Sequence, residues 1–151
     1  MAQIWDEHQE RKESKMSDPV FGKTWKMSKA QSMFTGSSTP ANETRLYEKV
    51  GRGYKLTVSG THDGQPYEWG YTAQYDGKPS PVYGRPDVDV IEKHKVTDLI
   101  TIGSFTKKGK IVAAYRRATS VDGKTLTVVA SGNRPDGTTY FDVLKYKPAR
   151  A

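Results

Sequence analysis

The sequence contains no cysteine, so a disulfide framework, a thiolate metal centre and a cysteine nucleophile are all excluded. It has no apolar run approaching the roughly 18 residues that span a bilayer, and residues 1–16 are charged throughout, without the apolar core of a secretory signal. The expected setting is therefore the cytoplasm, with no membrane span. Histidine is scarce. His8, His62 and His94 do not stand at metal-ligand spacing; a single axial histidine for haem is the one arrangement left open, and exposed turn or strand positions account for all three more simply. Phosphate-binding loops, dinucleotide fingerprints and nucleophile elbows are missing, and Ser104 and Ser120 lack the setting of an activated serine. No cofactor and no metal are expected.

What the chain does have is length for one domain and a composition suited to strands. Its 151 residues are enough to bury roughly 70% of the unfolded surface in a single core. Only 34% of residues are hydrophobic and the mean hydropathy is −0.76, yet 14 Gly, 8 Pro and 9 Tyr accompany them, a mixture typical of short strands joined by tight turns. The formal charge of +7 could attract nucleic acid or an anionic surface. Its Lys and Arg residues are scattered with acids between them, however, so they read as a solubilising surface and not as a clustered basic footprint. A monomer or homodimer without a nucleic-acid partner is expected.

Along the chain, residues 2–15 are good helix formers and place Ile4, His8 and Arg11 on one side with Trp5 and Gln9 beside them. That stripe is thin; it fits a frayed arm or a short helical lid, and residues 1–19 are assigned to such an arm, 20–148 to the folded domain and 149–151 to a tail. Beyond Pro19 the punctuation is regular. Asp63-Gly64, Asp76-Gly77, Lys108-Gly109, Asp122-Gly123 and Asp136-Gly137 each fall between segments rich in Val, Ile, Thr and Tyr, and such pairs supply the positive φ angles that hairpins and bulged turns need. Between them side chains alternate: Tyr54, Leu56 and Val58 oppose Lys55, Thr57 and Ser59, and Tyr67, Trp69, Tyr71, Ala73 and Tyr75 oppose Glu68, Gly70, Thr72 and Gln74. Period two is the pattern of a half-buried strand. Further strands are read at 23–26, 45–50, 87–94, 99–106, 110–119, 125–131 and 139–147. Pro79, Pro81 and Pro86 mark 82–84 as an edge segment or rim loop. The fold class is all-β: an antiparallel up-and-down barrel of eight to ten strands, because closure removes the two edges such a meander would otherwise expose.

Gly22-Lys23-Thr24-Trp25 at the first strand resembles the Gly-x-Trp motif that opens the barrel of lipocalins and their calycin relatives, with one more residue between Gly and Trp. The chain length and meander also fit a bacterial lipocalin-like protein over residues 20–148. The resemblance implies that Trp25 closes the barrel floor and that a basic residue of the last strand, Lys145 or Lys147, packs across it.

The residues able to carry function are aromatic with a few charges. Tyr54, Trp69, Tyr71 and Tyr115 stand on faces that also bear Leu56, Val58, Ile111 and Ala113. Each ring offers a broad apolar face and a polar tip that can orient a guest, and these are the candidate ligand-binding residues. Arg117 shares a face with Ile111, Ala113 and Tyr115, and Asp142 with Tyr140, Leu144 and Tyr146. If those faces point inward each charge must be paired or used. Asp142, Tyr140, Arg117 and His94 are accordingly the candidate catalytic residues for general acid–base chemistry. Asp87 and Asp89 share the face opposite Val88 and Val90, where solvent is the simpler environment. The expected partner is a small hydrophobic or aromatic ligand held in the barrel. The alternative is a cofactor-free isomerase, cyclase or lyase in which a Tyr with Asp, His or Arg moves a proton in the same cavity.

Overall fold

A computed structural model describes residues 18–35 and 40–149. Ten strands, β1 (Thr24–Met27), β2 (Asn42–Val50), β3 (Gly53–His62), β4 (Gln65–Ala73), β5 (Ser80–Tyr83), β6 (Val90–Thr97), β7 (Ile100–Lys107), β8 (Lys110–Thr119), β9 (Leu126–Asn133) and β10 (Thr139–Pro148), form one closed antiparallel barrel. Each strand pairs with its neighbours in sequence, and β1 closes the ring on β10 through Trp25↔Pro148 and Met27↔Tyr146. No helix among the described residues is long and apolar enough to cross a membrane. The arm expected over residues 1–19 lies outside the described residues except for Asp18 and Pro19.

The turn residues act through their backbone angles. Asp63 and Gly64 have φ of 52° and 76°, Lys108 and Gly109 of 51° and 79°, so both central residues of the β3–β4 and β7–β8 hairpins are left-handed, the combination that matches the twist of the flanking strands. The other three Asp-Gly pairs serve longer connections. There the Asp carboxylate accepts a backbone N–H two residues on, from Lys78 at 3.0 Å, Lys124 at 3.0 Å and Thr138 at 2.9 Å, a local turn of the Asx type.

Three details differ from the pattern read off the sequence. Residues 82–84 are not a rim loop alone: β5 is a stave of the closed ring, though it makes only two residue pairs with β4 and two with β6, as expected of a four-residue strand whose Pro81 has no N–H to donate. β6 begins at Val90, so Asp87 and Asp89 precede it; Val88 is buried, and the inward residues of the strand are Ile91 and Lys93. In β8 the register skips between Phe105 and Thr106 of β7, and this bulge leaves Ile111 67% exposed instead of aligned with Ala113.

The two ends of the barrel are finished differently. At the end where the chain enters β1, residues 18–22 lie across the opening; Val20 and Trp25 are fully buried, and the Trp25 indole Nε1 donates to the Val20 carbonyl at 3.0 Å. The cation over the Trp25 ring is Lys23, at 5.5 Å, and not Lys145 or Lys147; Lys147 is exposed and donates to Thr125 instead. Lys23 comes from the segment that crosses the floor, which places it nearer the indole than the outward-facing lysine of β10. The opposite end, framed by the β5–β6 and β9–β10 connections, is open among the described residues.

Candidate functional site

A hollow in the open half of the barrel arises because large and small inward residues face one another. Gly103 of β7 pairs directly with Tyr115 of β8, and a Cβ on Gly103 would meet the Tyr115 ring at 2.4 Å, so the glycine lets that ring lie back against the wall. Ala113 pairs with Phe105 and Ala130 with Tyr115, and with Trp69, Tyr71, Tyr47, Leu56 and Val128 they enclose a cavity of ≈ 50 Å³. One water needs about 10–15 Å³ of such space, so the hollow has room for a small group only.

Arg45, Trp69, Arg85, Ala130 and Tyr140 line both this cavity and an outer vestibule of ≈ 360 Å³, and so form the throat between them. Phe34, Glu43, Asp87, Arg134 and Asp142 are among the other residues that line the vestibule. The guanidinium carbons of Arg85 and Arg45 lie 4.8 and 5.6 Å from the Trp69 ring. Arg85 donates to Asp87 at 3.1 and 2.7 Å, and this contact with burial opposing it holds the Asp87 carboxyl below its usual range. Glu43 is buried and satisfied: it accepts from Tyr67 at 2.8 Å, from Arg45 at 3.2 Å and from the Tyr146 hydroxyl. Asp142 accepts the Thr35 N–H at 3.1 Å, and burial raises its pKa.

Below the cavity the interior is packed. The hydroxyls of Tyr54 and Tyr71 are 3.1 Å apart and those of Tyr71 and Tyr115 3.4 Å. Burial raises the pKa of all three, which keeps them as neutral phenols able to donate. Beneath them Arg117 donates to Asp18 at 2.6 Å and to Thr101 at 3.0 Å. Lys93 is fully buried with its Nζ 3.0 Å from the Tyr54 ring centroid.

The residues anticipated from the sequence therefore fall into separate groups. Trp69, Tyr71 and Tyr115 line the cavity, whereas Tyr54 lies one layer below, joined to it by its hydroxyl. Tyr140 and Asp142 meet at the vestibule. Arg117 points inward but is engaged by Asp18. His94 is exposed on the outer face, opposite Ile102 and bridged to Asp76. Asp89 is exposed and bound by Lys107 and the Lys108 N–H.

Sequence reasoning missed Glu43, Arg45, Arg85 and Lys93. Glu43 and Arg45 share the parity of buried Tyr47 on β2, a signal that was present. Lys93 shares the parity of Ile91, but reading the strand from Val88 and Val90 turns it outward. Arg85 sits in a proline-flanked connection where no periodicity applies. Comparison of the chain with protein-family models, with curated proteins and with solved structures gives no match.

Proposed function

We propose that the barrel binds a small, largely apolar molecule in the cavity of its open half. The observation that carries this reading is the aromatic-walled hollow and its continuity with the vestibule through a throat of two arginines and Trp69. Protein interiors are otherwise close-packed, and the floor of this same barrel is filled by Trp25, Tyr47, Tyr54 and Arg117. Space left where Gly103, Ala113 and Ala130 stand is therefore a local departure, of the kind a binding site uses. Membership among lipocalin-like barrels belongs to the same reading, supported by the closed antiparallel meander and by Trp25 on the floor under a cation.

Native mass spectrometry of the protein purified from its own host tests it. The expected spectrum contains a retained small molecule in the parent protein and none in Ala113→Leu, which fills the cavity. A bare parent protein that also fails to bind any apolar probe by Trp fluorescence would reject the reading.

One observation favours the catalytic alternative, an isomerase, cyclase or lyase: Tyr140 and Asp142 face one vestibule and the Asp142 pKa is raised, which suits a group that moves a proton. Asp142→Asn separates the two readings. A carrier keeps its affinity for the retained molecule, whereas an enzyme keeps affinity and stops converting it.

A further inference from the structure

Lys93 is a feature that simple storage of an apolar guest does not require. Its side chain is 0% exposed, its Nζ has no hydrogen-bond partner among the described residues, and it lies 3.0, 4.7 and 5.3 Å from the ring centroids of Tyr54, Tyr75 and Tyr71. Each element packed against it presents a hydroxyl or a charge. β3 contributes Tyr54, β4 Tyr71 with Tyr75 just beyond it, β8 Arg117, β7 Thr101 bonded to Arg117, and the floor segment Asp18; Lys95 of β6 reaches the Tyr75 ring at 5.7 Å. The one carboxylate among these, Asp18, is already held by Arg117 at 2.6 Å. Burial, with the Arg117 charge adding to it, lowers the Lys93 pKa to about 6, so the amine is mostly neutral at pH 7.

With Lys93 neutral the charges of the barrel interior balance, Arg45 and Arg117 against Glu43 and Asp18, so a protonated Lys93 is the cation left to pair with an entering anion. At the throat, Arg45 donates to Glu43 and Tyr47 and Arg85 donates to Asp87, with Tyr140 also in hydrogen-bonding reach of Arg85, and both guanidiniums line the way into the cavity. A negative group passing them would come to rest against Tyr71 and Tyr115, whose hydroxyls continue to Tyr54 above the Lys93 amine. Water-poor surroundings make such a charge felt across several ångströms.

Building on the small-ligand reading above, we propose that the cavity takes the anionic group of a planar weak acid, with the rest of the molecule in the vestibule, and that Lys93 takes up a proton from solvent as the anion binds. The coupling runs both ways: an anion that favours the protonated amine binds more tightly once the amine is protonated. For charges about 8 Å apart at an effective dielectric constant of about 20, the amine pKa rises by about 1.5 units on binding. Binding at pH 7 then takes up roughly two-thirds of a proton, and affinity grows about tenfold between pH 8 and pH 6.

Titration calorimetry with trans-cinnamate, a planar aromatic carboxylate, and with its neutral counterpart trans-cinnamamide tests this in buffers of different ionisation enthalpy. Cinnamate is expected to bind at least tenfold more tightly than cinnamamide, with a buffer-dependent enthalpy and the pH dependence just given, while cinnamamide shows neither. In Lys93→Met cinnamate is expected to bind with no proton uptake and a flat pH profile. If that variant did not fold, the buffer series on the parent protein would still decide. Equal binding of the two probes, or cinnamate binding without proton uptake, overturns the proposal and leaves the cavity reading standing. Failure of both probes to bind, together with the absence of a retained molecule, overturns both.

Discussion

At the floor of the barrel Arg117 meets Asp18 at 2.6 Å with side chains 1% and 5% exposed; at the mouth Arg85 meets Asp87 at 2.7 Å with side chains 21% and 43% exposed. The residue types and the shortest distances match, while the floor pair spans 99 positions through one contact, the mouth pair two positions through two contacts, and the surroundings differ. A buried pair cannot lose one member without stranding the other charge away from water, so the floor contact acts as a plug joining residues 99 positions apart. An ion pair still reached by solvent contributes little to stability, which suits Arg85 to the place proposed for it at the throat. Burial, more than contact geometry, divides this barrel into a structural end and the proposed binding end.

The sharpest way to break that comparison is to make the same substitution at both ends. Arg117→Met is expected to lower the unfolding free energy by about 3–5 kcal/mol, and Arg85→Met by no more than about 1 kcal/mol, both read from urea denaturation; equal losses would refute the division. Lys93→Met comes next, with the opposite sign. In the unfolded chain this amine holds its proton up to a pKa of about 10.4, whereas in the folded barrel it releases it at about 6. Between those values the unfolded state binds more protons, so stability rises with pH by up to about 1.4 kcal/mol per unit, and the penalty is full below the lower value. Lys93→Met should therefore raise stability by on the order of 3 kcal/mol at pH 7 and flatten the curve between pH 6 and 10, which denaturation across that range checks.

Smaller effects sharpen the view of the binding end. Ala113→Leu adds three carbons to the cavity wall; stability should move by about 1 kcal/mol or less if they fill empty space and not packed core, while affinity for any retained molecule falls at least tenfold. Tyr71→Phe and Tyr115→Phe each remove one hydroxyl from the row above Lys93. A loss of about 1 kcal/mol is expected for each, with the fold intact by circular dichroism and a changed ligand affinity. Unchanged affinity in both would remove these rings from the site.

Much of the barrel was legible because its turns and faces carry local signals. Asp63-Gly64 and Lys108-Gly109 needed no tertiary context to fix their hairpins, and alternation placed Tyr71, Tyr115, Arg117, Asp142 and Leu144 on the correct side of their strands. The site was less legible, for two reasons. One-residue irregularities invert a face: counted from Val88 and Val90, Lys93 falls on the outer side, whereas Ile91 and Lys93 are the buried residues of the strand. Pairing is also a property of the closed ring: nothing near Arg117 in the chain announces Asp18, and nothing near Glu43 announces Tyr146. The hollow itself depends on which small residues end up opposite which rings, as Gly103 does with Tyr115, and that follows from register between strands and not from any one strand.

Register also determines how the wall can give way. The ladder between β2 and β3 joins nine residue pairs, while β5 is laced to each neighbour by two. Fluctuations open a structure where its bonding is sparsest, and here that seam runs beside Val82, one short step from Arg85 in the throat. A guest bound as proposed is expected to leave through this flank, with amide exchange at β5 on the same timescale as its release.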